Sequence, residues 1–182
     1  NFASFPVTFR GMLWQAVPNS NGVERTSIDG VSTEATSDTS DPSSNAQNIS
    51  AYKANGGAVI TSGSWTNGSS PYFTWDSATD AGAGTYGYCV YLGTDASADP
   101  ATSKGLLGNS PKQTGGHCEF IVPTPEIDLA TPGYLGSALA TSNDTYYLTL
   151  RAIDGAGNII NSSEQFNFKF DNTTPSTPGF IT

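Results

Sequence analysis

The sequence predicts an all-β fold, a β-sandwich, and three observations predict it. Apolar and polar residues alternate with period two in several segments, whereas no window carries the apolar spacing of an amphipathic helix. Short runs rich in Gly, Asn, Asp and Pro separate these segments, and such residues form turns. Charged residues make up only 13% of the chain, so Ser, Thr, Asn and Gly supply most of the polar surface, as in secreted β-proteins.

The clearest strands lie in the C-terminal third. Residues 165–171 place three phenylalanines on one face, and residues 146–152 place four apolar side chains on one face. The turn residues 154–158 lie between them, so the two segments are predicted to form a hairpin-like pair.

Further strands are predicted upstream. Residues 72–76, 86–92 and 118–122 are rich in aromatic and β-branched residues and are bounded by turn-rich stretches, while 57–61 and 134–139 are weaker candidates. These segments give about seven strands, the number that a two-sheet sandwich needs. The sandwich is therefore predicted to span residues 57–175.

The first 56 residues follow a different pattern. Phe5, Val7 and Phe9 alternate with polar residues, and after Gly11 the phase shifts to Met12 and Trp14, as in a strand with a bulge. Residues 19–48 are mostly Ser, Thr, Asn, Asp and Gly and cannot bury a core of their own. Residues 1–56 are therefore predicted to form an N-terminal strand plus a long polar tether, and the proline-stiffened residues 176–182 an exit linker.

Two stretches carry a resemblance to a known class of modules. Residues 73–94 resemble the second and third strands of bacterial fibronectin type III-like and Ig-like surface modules, and residues 146–158 resemble the recurrent segment of the same modules that ends in Asp-x-Ala-Gly-Asn. The resemblance implies an Ig-like or fibronectin type III-like sandwich in which Trp75 and Tyr88 are core residues and Tyr146 supplies a tyrosine corner. Such modules serve as adhesin stalks, S-layer pieces, filament subunits and enzyme spacers.

The two cysteines and the charge indicate the compartment and the partners. Cys89 and Cys118 are predicted to form one disulfide, because Cys89 alternates with core-facing residues and no second pair exists for a zinc site. A disulfide favours an oxidising, extracellular or cell-surface location. The net charge of −9 disfavours nucleic acid as a partner, and no apolar run approaches the roughly 20 residues that membrane insertion requires.

The residue types and their positions in the sequence do not favour a catalytic function. The sole histidine, His117, begins a predicted strand and is interpreted as a surface or strand-edge residue rather than a base for a serine nucleophile. Phosphate-binding glycine loops are absent from the sequence, and the acidic residues lie mostly in turns. We therefore expect a protein that is not an enzyme and that requires no cofactor.

Calcium is the one cofactor that the sequence suggests. In the predicted sandwich, the loops after Trp75 and Ile153 lie at the same end, which would gather Asp76, Asp80, Asp154 and Asn158. The alternative is that these residues are turn formers that make local hydrogen bonds.

Surface modification and sugar binding are further candidates. Five Asn-x-Ser/Thr sequons are candidate glycosylation sites, at Asn48, Asn67, Asn143, Asn161 and Asn172. Exposed aromatic side chains such as Tyr91 and Tyr147 could stack against sugars, or could equally form cross-strand pairs.

Three functions compete. The first is a structural subunit or repeat of an extracellular filament, stalk or coat, whose partners are neighbouring copies or modules. The second is a carbohydrate- or receptor-binding adhesin module, and the third is an accessory domain of a secreted enzyme. For the first, Phe5, Val7, Phe9, Met12 and Trp14 would form an assembly strand that completes a sheet in a neighbour. The alternative is that this strand folds back onto its own sandwich.

Overall fold

A computed structural model describes the backbone of residues 6–9, 12–19 and 22–27, and residues 38–112, 117–141 and 144–176 with their side chains. The chain divides into two compact units, residues 1–38 and 39–182. Twelve strands are described: β1 (Pro6–Phe9), β2 (Met12–Asn19), β3 (Gly22–Ser27), β4 (Gln47–Tyr52), β5 (Val59–Ile60), β6 (Trp65–Thr66), β7 (Tyr72–Asp76), β8 (Thr85–Gly93), β9 (Ile121–Val122), β10 (Glu126–Asp128), β11 (Tyr146–Asp154) and β12 (Glu164–Phe170).

The first unit contains an antiparallel three-stranded sheet in the order β1-β2-β3. Phe9 lies opposite Met12 in the register, so the expectation of one bulged strand was wrong. A glycine at a phase shift fits a bulge or a two-residue hairpin turn equally well, and residues 10 and 11 lie outside the described part. Phe5 also lies outside it.

The second unit is all-β and has two sheets, in the orders β10-β7-β4-β5 and β6-β12-β11-β8-β9. They face each other across one core, as in a β-sandwich: the Phe73 ring lies 5.9 Å from that of Phe166 and 6.0 Å from that of Phe168. Phe73 and Phe168 are both fully buried, and burying a side chain of this size contributes about 2–3 kcal/mol. The inward faces of the two sheets therefore hold this unit together.

The strands with the strongest alternation lie close to their predicted positions. β7 has the predicted bounds, and β8, β11 and β12 differ from the predictions by one or two residues at their ends. In β8, Tyr88, Val90 and Leu92 belong to the main core, while Cys89 packs in a second cluster. The alternation of β8 therefore directs its side chains as the sequence indicated.

β5 and β9 cover only two residues each of the predicted segments 57–61 and 118–122, and two other segments differ from the expectation more strongly. β4 lies within the predicted tether, yet it pairs with β5 and β7 in the first sheet of the sandwich. Its signal in the sequence is weak because Ile49 and the small Ala51 are its only apolar inward residues. Residues 134–139 form no strand: they turn around Gly133, which has a positive φ of 87°. Leu135 makes a single bridge to Leu107 there.

The connection between β8 and β9 covers the outer face of the second sheet. Arg151 of β11 forms an ion pair of 2.8 Å with Asp99 in this connection, and Gln165 of β12 donates to the carbonyl of Ala96. Leu107, further along, is buried in the main core. This long connection is thus packed onto the sandwich over its described residues; 113–116 lie outside the described part.

Candidate functional site

Asp154 organises the turn that follows β11. Its side chain is 1% exposed, and its Oδ1 accepts hydrogen bonds from the backbone N–H groups of Ala156, Gly157 and Asn158 at 2.9, 2.7 and 2.8 Å. Oδ2 accepts a fourth bond from Nδ2 of Asn158 at 2.7 Å. Burial alone would raise the pKa of Asp154, but these hydrogen bonds outweigh it and hold the pKa below its ordinary value. The carboxylate is therefore ionised and fixes the turn.

Asp80 plays a comparable role in the loop between β7 and β8. Its Oδ2 accepts from the backbone N–H groups of Gly82 and Gly84 at 3.0 and 2.7 Å. The two loops are joined by the N–H of Gly155, which donates to the carbonyl of Gly84 at 2.8 Å. Carboxylate oxygens of Asp80 and Asp154 lie within 4.8 Å of each other.

The structure thus brings together three of the four residues suggested for calcium. Asp76 lies apart from them, and its Oδ2 accepts a hydrogen bond of 2.6 Å from Nδ2 of Asn48. The bonds made by Asp80 and Asp154 are those of turn formers, which is the alternative that the sequence left open. Calcium binding by Asp80, Asp154 and Asn158 stays a prediction.

His117 packs on the same turn. A Cβ atom at Gly157 would collide with the His117 ring, and Gly157 itself has a φ of 98°. Glycine is thus required at this position both by backbone conformation and by the close approach of the ring. His117 is exposed in the connection between β8 and β9, which agrees with its interpretation as a surface residue.

Cys89 and Cys118 form a disulfide, with their Cα atoms 5.8 Å apart. Both are buried and pack with Ile121 and Ile153 in a cluster separate from the main core. The predicted bridge is therefore present and lies on the face of the second sheet that points away from the other sheet. It closes the connection between β8 and β9.

The suggested sugar-stacking tyrosines are not exposed platforms. Tyr91 is only 5% exposed, because the connection after β8 covers it: Asp95 donates its N–H to the Tyr91 hydroxyl at 3.0 Å, and Gly105 lies against the ring. Tyr147 is half-buried. Of the two alternatives for Tyr91, the stacking platform is excluded, because the long connection folds over a face that alternation alone would leave open, and Tyr91 lies opposite Thr149 of β11.

Among the described residues, an exposed aromatic side chain lies on a segment that was not predicted to be a strand. Trp65 is 52% exposed and lies on β6, a two-residue strand at the edge of the second sheet. It borders an open cleft of about 320 Å³ that is also lined by Lys53, Thr66, Asn67 and Asp171. The sequence did contain a signal for this exposure. Trp65 is surrounded by Ser, Thr, Asn and Gly, and the residues two positions before and after it are not large apolar ones.

Four of the five sequon asparagines are exposed in the described part of the chain. Asn67 accepts a hydrogen bond from Lys53, Asn161 donates to Asp41, and Asn172 accepts from Thr141. Asn48 donates to Asp76, as described above, and Asn143 lies outside the described residues. Their glycosylation stays a prediction.

No protein-family model matches the chain, and no curated protein or solved structure matches it. Among the described residues, no helix is long and apolar enough to cross a membrane.

Proposed function

We propose that this chain is a non-enzymatic extracellular module of the Ig-like or fibronectin type III-like kind, acting as a structural subunit or spacer in a surface filament, stalk or coat. The observation that carries the proposal is the position of the two ends of the sandwich domain: the chain enters the sandwich at one end and leaves it at the opposite end. A module of this geometry spaces its neighbours by its own length.

The entry point lies beside the loops at one end of β11. Ser44 donates its backbone N–H to the carbonyl of Thr79 in the loop after β7. Asn45, which is buried, donates through Nδ2 to the carbonyl of Ser162 at 2.7 Å and accepts from the N–H of Ala152 at 2.9 Å. The first residues of the sandwich are thus tied to the C-terminal end of β11 and to the loop that follows it.

The exit point lies at the other end of β11. After β12, Asp171 donates its N–H to the carbonyl of Thr66 at 2.9 Å. Asn172 accepts a hydrogen bond of 2.9 Å from the hydroxyl of Thr141, five residues before β11 begins at Tyr146. Because β11 spans the sandwich, entry and exit are separated by the length of its strands.

The strand order supports the Ig-like or fibronectin type III-like assignment. If β4, β7, β8, β9, β10, β11 and β12 correspond to strands A, B, C, C′, E, F and G, the two sheets are E-B-A and G-F-C-C′, with β5 and β6 as additional edge strands. The Tyr146 hydroxyl also donates to the carbonyl of Ala140 at 2.9 Å and accepts from its N–H at 3.0 Å. This is the bonding of a tyrosine corner at the start of strand F.

The disulfide and the first unit extend the proposal. A disulfide is maintained in an oxidising compartment, which favours an extracellular or cell-surface location.

In the first unit, β1 is paired with β2 rather than being a free strand. β1 and β3 are the edges of that sheet, so the strand-donation hypothesis becomes pairing of one of these edges with a neighbouring copy.

Self-association of the purified chain tests the proposal. We expect concentration-dependent, head-to-tail oligomers by light scattering and elongated particles by electron microscopy. A variant that lacks residues 1–37 should remain folded, with an intact disulfide and a cooperative melting transition, but should be monomeric. A full-length chain that is monomeric at all accessible concentrations, or a deletion variant that still forms oligomers, would contradict assembly through the first unit.

A further inference from the structure

The open cleft beside Trp65 combines an exposed aromatic ring with polar and charged side chains. Among described residues, the exposed large hydrophobic side chains are those of Val59 and Trp65, at 68% and 52%. An exposed indole offers a broad flat face at little conformational cost and is favoured where a ring must contact a partner. Around it, the cleft of about 320 Å³ presents an amine, a hydroxyl, an amide and a carboxylate.

The distribution of positive charge points to the same place. Of the seven Lys and Arg residues, two, Arg10 and Arg25, lie in the first unit. The other five are in the described part of the second unit, and three of these bond to a backbone carbonyl or to a carboxylate. Lys104 donates to the carbonyl of Gly108 at 2.9 Å, Lys112 donates to the carbonyl of Tyr86 at 2.6 Å, and Arg151 pairs with Asp99.

The two remaining cations of this unit both flank Trp65. The Nζ atom of Lys169 lies 5.4 Å from the centroid of the Trp65 ring. Lys53 lines the cleft, and its Nζ donates to Oδ1 of Asn67 at 2.9 Å. In a chain of net charge −9, the ammonium groups of Lys53 and Lys169 outnumber the one carboxylate, that of Asp171, which lines the cleft. Such a local excess of positive charge attracts an anionic ligand.

Asp171 completes the polar rim of the cleft. Its Oδ1 accepts hydrogen bonds from the N–H and hydroxyl of Thr173 at 2.8 and 2.6 Å. The side-chain bond from Thr173 and then its backbone bond hold the pKa of Asp171 below the ordinary value. An ionised carboxylate beside the ring can accept hydrogen bonds from the hydroxyl groups of a ligand.

We propose that the cleft formed by Trp65, Lys53, Asn67 and Asp171 binds a saccharide that carries a carboxylate, such as a uronic-acid unit of a polysaccharide. The C–H face of the sugar ring stacks on the indole, the lysine ammonium groups pair with the carboxylate, and Asn67 and Asp171 bond its hydroxyl groups. This site does not depend on the stalk role, because it lies on the second unit and does not involve the first.

The test measures binding of the full chain to acidic and neutral polysaccharides. Polygalacturonate, alginate and hyaluronan serve as acidic probes, and dextran and xylan as neutral ones. We expect retention by at least one acidic probe and weaker retention in 0.5 M salt, since exposed charges are then screened over roughly 4–5 Å. Absence of binding to all three acidic probes, or equal binding to dextran, would overturn the proposal.

Variants then locate the site. Trp65→Ala should weaken binding about tenfold or more, and Trp65→Phe should weaken it less because a ring remains. Lys53→Gln and Lys169→Gln should each weaken it about two- to fivefold. Val59→Ala removes the other exposed hydrophobic side chain and lies outside the cleft, so it should bind as the wild type does. Unchanged binding by Trp65→Ala, with the melting temperature also unchanged, would refute the assignment.

Two other occupants of the cleft are distinguished by the same samples. A glycan attached to Asn67 of the native protein, detected by mass spectrometry, would fill the cleft from its own chain and overturn the proposal. Loss of self-association in Trp65→Ala with unchanged polysaccharide binding would assign the surface to a protein contact, which also overturns it.

Discussion

Removal of the Asp154 carboxylate tests how the loop end of the sandwich is stabilised. Asp154→Ala deletes an acceptor of hydrogen bonds from three backbone N–H groups and one side-chain amide. Asp154→Asn retains one carbonyl oxygen for the backbone donors but removes the charge and places an amide group beside that of Asn158. The two variants therefore separate the role of the acceptor from that of the charge.

The size of the expected loss in unfolding free energy depends on how easily water can reach the N–H groups that now bond to Asp154. A hydrogen bond to a charged acceptor contributes about 1.5–3 kcal/mol, but only part of this is lost at each donor. Ala156 is exposed and Gly157 and Asn158 are half-buried, so water can reach their N–H groups in the variant. We expect Asp154→Ala to lower the free energy of unfolding by about 2–4 kcal/mol and Asp154→Asn by about 1–2 kcal/mol. For a domain of this size, the larger loss lowers the melting temperature by roughly 6–12 °C.

The pH dependence gives a second, independent readout. The pKa of Asp154 is lowered in the folded chain, whereas in the unfolded chain it is about 4. Its charge therefore contributes stability that is fully present above the unfolded pKa and is lost as the pH falls through the folded pKa. The difference in stability between wild type and Asp154→Asn should be constant from about pH 5 to 7 and should shrink below about pH 4. Asp99, whose pKa is also lowered, contributes to both proteins and cancels in the difference.

Chemical denaturation monitored by circular dichroism measures these changes, and Asp76→Ala is the matched control. Asp76 is exposed and accepts one hydrogen bond from Asn48, so its loss should change the free energy of unfolding by no more than about 0.5 kcal/mol. Equal stability of Asp154→Ala and wild type, or a constant difference down to pH 2, would refute the reasoning. If calcium binds here, it raises the melting temperature of the wild type and not that of Asp154→Asn.

Three further predictions concern covalent and local structure. Replacing both Cys89 and Cys118 by Ala should cost about 3–4 kcal/mol, since the bridge closes a loop with a sequence separation of 29; two free thiols in the intact protein by thiol titration would contradict it. Tyr146→Phe removes both hydrogen bonds to Ala140 and should cost about 1–2 kcal/mol in denaturant titrations, whereas no loss would refute the corner's role. Gly157→Ala should cost about 1–3 kcal/mol from its backbone conformation and its contact with the His117 ring. Adding His117→Ala should restore only the steric part, and full recovery would show that the backbone is unstrained.

The fold could be predicted where a strand is long enough to carry a recognisable pattern of apolar residues. β7, β8, β11 and β12 carry strong alternation and turn residues at their ends, so local pattern and tertiary packing agree. β6 and β10 have only two and three residues, too few for any period to be visible. They are strands only because β6 pairs with the edge of β12 and β10 with the edge of β7. Both partners lie far away in the sequence.

The candidate sites show the same division between local and distant causes. The turns at Asp80 and Asp154 are local and could be anticipated from residue type, and so could the outward direction of Cys89. The burial of Tyr91 depends on how the residues after β8 fold back across the sheet. The exposure of Trp65 depends on β6 being at an edge, so neither environment could be deduced from the neighbours of that residue in sequence.

The parallel pairing of β6 with β12 determines how this module responds to mechanical tension. Lys169 lies opposite Trp65 and Phe170 opposite Thr66, and a further backbone bond runs from the N–H of Gly63 to the carbonyl of Asn167. In a stalk, tension reaches β6 from its N-terminal side and β12 from its C-terminal side, which are opposite ends of a parallel pair. The bonds between the two strands are then loaded in shear and must rupture together instead of opening one at a time. The resistance of the module to stretching is therefore set by a rate of forced unfolding, and β6, with only two residues, contributes to it out of proportion to its length.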